Sequence, residues 1–222
     1  MAAAASYATV PNLPPAATDP VKLYGDTLAF DIERNGERVG QYVVSFRSDE
    51  GRAVVETRAA IDIDLLFFNA YRFRYQAREI WRGRALEMLA ASTNENGEYS
   101  NVDANRDGQS LRVRASARSY ETPLVPPTTH WNATQLTSGV LLNTLTGQLN
   151  RVEVDWAGNE SVETLAGAVQ ADHFVYSGDL EVEVWYDANG RWVKLRFLAE
   201  DGSTIEYVCR TCRPPATGSE SG

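Results

Sequence analysis

Cysteine is nearly absent from the 222 residues: Cys209 and Cys212 stand three apart near the C-terminus. Histidine is as sparse, with His130 and His173 far apart in the chain. A structural zinc site takes about four ligands, so the fold would have to gather these scattered groups unaided, and neither metal nor cofactor is expected. A thioredoxin-like Cys-x-x-Cys opens a helix in a βαβ setting, whereas this pair ends a strand-like run and meets Pro214-Pro215. A local disulfide in an oxidising compartment is the simpler reading. Long hydrophobic runs are missing too: outside the N-terminal Met1–Ala5 none exceeds four residues, as in Leu65-Leu66-Phe67-Phe68, far short of the roughly 20 residues of a membrane-spanning helix. Positive charge is in deficit, 21 Lys and Arg against 30 Asp and Glu for a net −9, which repels a phosphate backbone and argues against a nucleic-acid partner. No Gly-x-Ser-x-Gly elbow, His-Glu-x-x-His helix, P-loop or dinucleotide fingerprint is present.

What is present is an all-β rhythm: short alternating runs rich in β-branched and aromatic residues, divided by Gly, Asn and Asp. Candidate strands cover 23–33, 38–47, 53–64, 71–81, 84–93, 99–105 and 110–117, then 149–156, 160–164, 169–176, 180–187, 191–199 and 204–209. Asn35-Gly36 and Asn189-Gly190 are two-residue hairpin signals, so consecutive strands should be antiparallel neighbours. One helix is expected, capped by Asn132 and running from Ala133 to about Asn143, with Leu136, Val140 and Leu141 on its apolar face. The resulting fold class is all-β, a strongly curved sheet or open barrel or β-roll with one principal inserted helix. One β-rich domain from 21 to 213 follows a Pro/Ala-rich leash over 1–20 and precedes a disordered tail over 214–222. Met1 to Ser6 reads as a start joined to the remainder of an export signal's cleavage region, which points to the periplasm or secretion; a native Ala run would leave the cytosol as the alternative.

Alternation assigns side chains to faces. Tyr71, Phe73, Tyr75, Ala77, Glu79 and Trp81 share one face, so a carboxylate stands in an aromatic row. If that face lines the interior, Glu79 is either a polar anchor or general base, or a structural carboxylate tied to donors. On the opposite face, Arg72 and Arg74 are placed to pair with Asp62 and Asp64. Trp185 and Trp192 fall on the polar side of one hairpin. In the loop Thr129-His130-Trp131-Asn132, His130 could hold a ligand, act as an acid/base or plug the structure. His173, in a strand, reads as a satisfied sheet histidine.

The chain resembles a group of exported bacterial proteins catalogued as a domain of unknown function. The resemblance rests on Arg78-Glu79-x-Trp81-x-Gly83-Arg84, Thr129-His130-Trp131-Asn132, Trp185-Tyr186-Asp187 and Asp201-Gly202-Ser203-Thr204. Further matches are Asn35-Gly36-x-x-x-Gly40, Thr93-Asn94-x-x-Gly97 and Leu142-x-Thr144-x-Thr146-Gly147. It runs from about Val21 to Val208, implies export and a curved antiparallel sheet, and carries no established chemistry.

Three roles fit. A carrier would hold a small apolar ligand, lipid-like or aromatic, among Tyr71, Phe73, Tyr75, Glu79, Trp81, His130, Trp131 and Asn132. A cofactor-independent enzyme would use Glu79 and His130 as an acid/base pair. An envelope structural or assembly module would pair its edge strands with a partner.

Overall fold

The computed structural model describes residues 13, 14, 19–65, 68–116 and 118–212. The rest of the leash up to residue 18, the centre of the apolar run at 66–67, the side chains of residues 64–70 and the tail from 213 lie outside the described residues. A short helix, α1 (Pro20–Tyr24), precedes the strands. The first eight are β1 (Thr27–Arg34), β2 (Glu37–Asp49), β3 (Arg52–Leu65), β4 (Phe68–Arg82), β5 (Ala85–Glu95), β6 (Glu98–Asp107), β7 (Ser110–Ala115) and β8 (Arg118–Pro123). A 3-10 turn over Ala133–Thr137 separates them from β9 (Val140–Leu142), β10 (Leu149–Val162), β11 (Val169–Gly178), β12 (Val182–Asp187), β13 (Trp192–Leu198) and β14 (Thr204–Cys209).

All the strands join in one 14-stranded sheet ordered β8-β7-β6-β5-β4-β3-β2-β1-β14-β13-β12-β11-β10-β9. Sequential strands pair antiparallel except for β8 and β9, and the antiparallel β1–β14 ladder, Phe30 opposite Cys209, joins the first and last strands at the middle of the sheet. A sheet this wide twists and coils. The curl brings β4 and β12 to the walls of one cleft although β3, β2, β1, β14 and β13 intervene. Its two ends, β8 and β9, are joined by a connection rather than a ladder: Tyr120 Oη donates to the Gly147 carbonyl at 2.6 Å, and Leu142 N to the Pro126 carbonyl at 2.9 Å. The sheet is therefore barrel-like and open.

Period-2 alternation builds the core. Phe30, Ile32, Val44, Val55, Leu89, Leu111 and Val184 are buried on the inner face, each large side chain contributing about 1.5–3 kcal/mol. The outer face carries cross-strand ion pairs, Arg78 with Glu56, Arg72 and Arg74 with Asp62, and Lys194 with Glu206. Exposed pairs of this kind contribute under about 1 kcal/mol each, so they solvate the sheet rather than hold it. The Asp62 pairing matches the sequence reading; the Asp64 side chain is outside the described residues.

Several local expectations are corrected. The helix expected over Ala133–Asn143 is a single 3-10 turn ending at Thr137. Ser138 bonds the Val140 carbonyl at 2.6 Å, and Gly139 with β-branched Val140 then turns the chain extended, so Leu141 and Leu142 enter the core from a strand. The start expected at Leu23 is instead α1, capped by Asp19 with Pro20 in its first turn, and β1 begins at Thr27. The two runs 149–156 and 160–164 are one strand, β10, kinked by a bulge between Trp156 and Gly158. β8 went unread. Trp192 does not share the polar side of its hairpin with Trp185. The β12–β13 register shifts between Trp185 and Tyr186, which leaves Val193 as the extra residue and turns Trp192 inward.

Candidate functional site

The concave face holds a cleft of about 260 Å³ walled by Tyr42, Ala59, Phe73 and Tyr75 from β2, β3 and β4. Trp192, Leu195, Phe197 and Tyr207 come from β13 and β14, with Leu180, Glu181 and Val182 at the start of β12. The connection between β8 and β10 supplies Thr128, His130, Thr144 and Leu145. Trp192 anchors one wall, its ring 4.2 Å from Phe30, 5.6 Å from Tyr42 and 5.5 Å from His130 between centroids.

Of the residues expected to bind a ligand, Phe73, Tyr75 and His130 line this cleft. Glu79, Trp81 and Trp131 form a packed unit in the core instead. Glu79 is fully buried, and its Oε2 accepts from Trp81 Nε1 at 2.7 Å, Trp131 Nε1 at 3.3 Å and Thr129 Oγ1 at 3.4 Å. Its Oε1 has no hydrogen-bond partner among the described residues. Burial raises the carboxyl pKa to about 7, with the three donors pulling the other way. The Trp131 ring sits edge-on to Trp81 at 5.4 Å and to Phe46 at 5.8 Å. Tyr71 donates to the Glu95 carboxylate at 2.9 Å away from the cleft, and Asn132 caps the 3-10 turn by accepting from Thr134 N.

His130 is held by the turn that follows it. The Gln135 amide stands 2.9 Å from its Nδ1 and 3.0 Å from Tyr186 Oη, and Tyr186 Oη donates to the His130 carbonyl at 2.8 Å. With Nδ1 accepting, the proton sits on Nε2. Burial lowers the imidazole pKa to about 4, so the ring is neutral at ordinary pH. No hydrogen bond links His130 with Glu79: each is engaged by its own partners.

Sequence reasoning missed Tyr42, Trp192 and Tyr207 as wall residues. Tyr42 and Tyr207 sit on alternating strands like the aromatics that were singled out, and their side of the sheet was the available signal. His173 lies on the outer face, stacked on Trp185 at 4.1 Å, with Nε2 2.7 Å from a Glu183 carboxylate oxygen but outside hydrogen-bond geometry, so its ring is packed rather than fully satisfied. Cys209 and Cys212 are joined by a disulfide. Their turn is tied to β1 by Arg210 N donating to the Ala29 carbonyl and Ala29 N to Thr211 Oγ1. Among the described residues no group of three His, Cys, Asp or Glu side chains could hold a metal ion, and no helix is long and apolar enough to cross a membrane.

A family model described as Domain of unknown function (DUF6134) matches residues 30–210. The fold is similar to a crystal structure from Brucella abortus, the beta-barrel-like protein of domain of unknown function DUF1849, with a TM-score of 0.58 and 12% identity. That likeness covers 83% of this chain and 95% of the other, and at such identity it carries the fold alone. No curated protein matches the chain.

Proposed function

Since the chain belongs to the family described as Domain of unknown function (DUF6134), which assigns no reaction, we propose its role from the cleft: an exported carrier that binds a small apolar ligand there. The observation that carries this reading is the wall itself. Phe73, Tyr75, Trp192, Leu195 and Phe197 line a concavity in which the one histidine is kept uncharged. Predominantly apolar walls with a few fixed polar groups are the usual make-up of a small-molecule site. Export is supported by the Cys209–Cys212 bond, which persists in oxidising compartments. An acid/base pair of Glu79 and His130 has less support, because general acid/base partners work within hydrogen-bond reach or through one water and these two are bonded elsewhere.

The test is uptake of N-phenylnaphthylamine, an uncharged probe that fluoresces in apolar surroundings. The protein should raise its emission saturably. Leu180→Trp, at the half-buried mouth of the cleft, should abolish the rise while leaving the far-UV spectrum unchanged. Absence of saturable uptake by the unsubstituted protein rejects the carrier.

One observation favours a second reading, an envelope assembly module: past Val152, β10 has among the described residues a strand neighbour in β11 alone, and Trp156 on it is 37% exposed. An unpaired edge is a template for strand addition. Light scattering that shows a monomer at all accessible concentrations, together with failure to pair with any envelope component, would remove it.

A further inference from the structure

We propose that the cleft selects its ligand by charge and takes an amphipathic organic cation, a small apolar body bearing an ammonium group. The proposal rests on the carrier reading above and adds the chemical class of the ligand. Its first support is the charge of the wall. The cleft lining contains no lysine or arginine and one carboxylate, Glu181. Glu181 is exposed at the mouth, one residue before β12, and makes no ion pair among the described residues. The contrast with its neighbour is informative. Two residues on, Glu183 is taken up by Arg196, whereas Glu181 is left unanswered at the mouth.

The second support is what the wall withholds from an anion. A carboxylate or phosphate entering here would shed its water and meet no cation, only the Glu181 carboxylate at the rim. Burying an unpaired ion is costly, and a protein of net charge −9 adds a repulsive approach. An ammonium group meets the opposite situation. Glu181 supplies a counter-charge at the mouth, and the rings of Tyr42, Phe73, Tyr75, Trp192 and Tyr207 supply the aromatic surface to which cations are drawn. His130, neutral, adds no competing positive charge. The volume of about 260 Å³ falls just under the roughly 300–1,000 Å³ of pockets for drug-sized ligands. The apolar body is therefore at most a few rings, the size of the N-phenylnaphthylamine probe, or a short chain rather than a two-chain lipid.

The experiment compares three compounds of equal chain length and different end group, hexylamine, hexanol and hexanoate, as competitors of N-phenylnaphthylamine on the full chain at neutral pH. Hexylamine, protonated there, should displace the probe at the lowest concentration, and hexanoate should need at least about ten-fold more. Glu181→Gln should weaken hexylamine about two- to five-fold, as loss of an exposed ion pair does, and leave hexanol unchanged. Hexanoate competing as well as hexylamine, or a hexylamine-to-hexanol ratio unaltered by Glu181→Gln, overturns the proposal while the carrier reading stands. Should the probe itself not be taken up, the carrier reading falls and this proposal with it.

Discussion

Glu79 and Trp131, 52 residues apart in sequence, meet in the core through the indole N–H of Trp131 and Oε2 of Glu79 at 3.3 Å. This contact fastens the connection that roofs the cleft to the middle of β4. Because Trp81 and Thr129 donate to the same oxygen, one carboxylate fixes both the strand and the first residues of the loop that carries His130. Glu79→Ala would strand two indole N–H groups and a hydroxyl in a dry site. A loss of about 1–3 kcal/mol is expected, read as a lower midpoint in urea, and an unchanged midpoint would refute the anchoring role.

The same carboxyl and His130 should shape the pH dependence of stability in opposite senses. The Glu79 carboxyl titrates near 7 when folded against its ordinary 4.5. Between those values the native state keeps a proton that the unfolded chain has released, so stability falls as pH rises, by roughly 3 kcal/mol over the window. His130 titrates near 4 when folded against 6.5. There the unfolded chain binds the extra proton, and stability rises with pH by a similar amount. Where the windows overlap the slopes offset each other, and the protein should show a plateau. Glu79→Gln should convert the plateau into a rise, and His130→Gln into a fall, in urea midpoints measured across it. Parallel profiles for all three proteins would contradict both assignments.

The disulfide closes a very short loop, for which the chain-entropy relation gives about 2 kcal/mol. The turn it holds also ties β14 to β1 and, through Thr164 Oγ1 donating to the Cys212 carbonyl at 3.1 Å, to the loop before β11. Cys209→Ala with Cys212→Ala should lower the melting temperature by about 4–8 °C. A shift under about 1 °C would mean that the turn keeps its shape without the bond.

The legible parts of the molecule were those in which a local rule runs unbroken. Glu79 could be placed in the interior because alternation holds from Tyr71 to Trp81, and Asn35-Gly36 turns as its type demands, with φ of +51° and +82°. Trp192 could not, because one bulged residue, Val193, reverses every face before it, and nothing in Arg191-Trp192-Val193-Lys194 marks the bulge. The spacing of Leu136, Val140 and Leu141 suits a helical stripe and an isolated strand equally, and tertiary contacts with Pro126 and Leu149 decided for the strand. For α1 the signal was there, an Asp19-Pro20 start, but the alternation of the following strand was extended through it. The cleft was half legible: its β4 side follows from periodicity, whereas its β13–β14 side depends on how far the sheet curls.

Gly147 tests the junction that brings the ends of the sheet together. It sits at φ +67°, and a Cβ there would lie 2.3 Å from that of Ala115. Gly147→Ala should cost about 1–3 kcal/mol through both strain and overlap. Gly36→Ala, at φ +82° with nothing within 4 Å, carries the conformational part alone and should cost about 1 kcal/mol. Equal losses in the two variants would show that the Gly147–Ala115 approach is not tight.

Of the five tryptophans, Trp192 lines the cleft and the others do not, which makes it an internal reporter of occupancy. A ligand entering the cleft displaces water from the wall to which the Trp192 indole contributes, so indole emission should change on saturation with hexanol. Trp192→Phe keeps an aromatic wall against Phe30 and should abolish most of that change, at a stability cost of about 1–3 kcal/mol for the smaller ring. Trp156→Phe, on the exposed edge of β10, should leave the ligand-dependent change intact. If Trp192→Phe preserves the change and Trp156→Phe removes it, the ligand is bound at the sheet edge and the cleft is not the site.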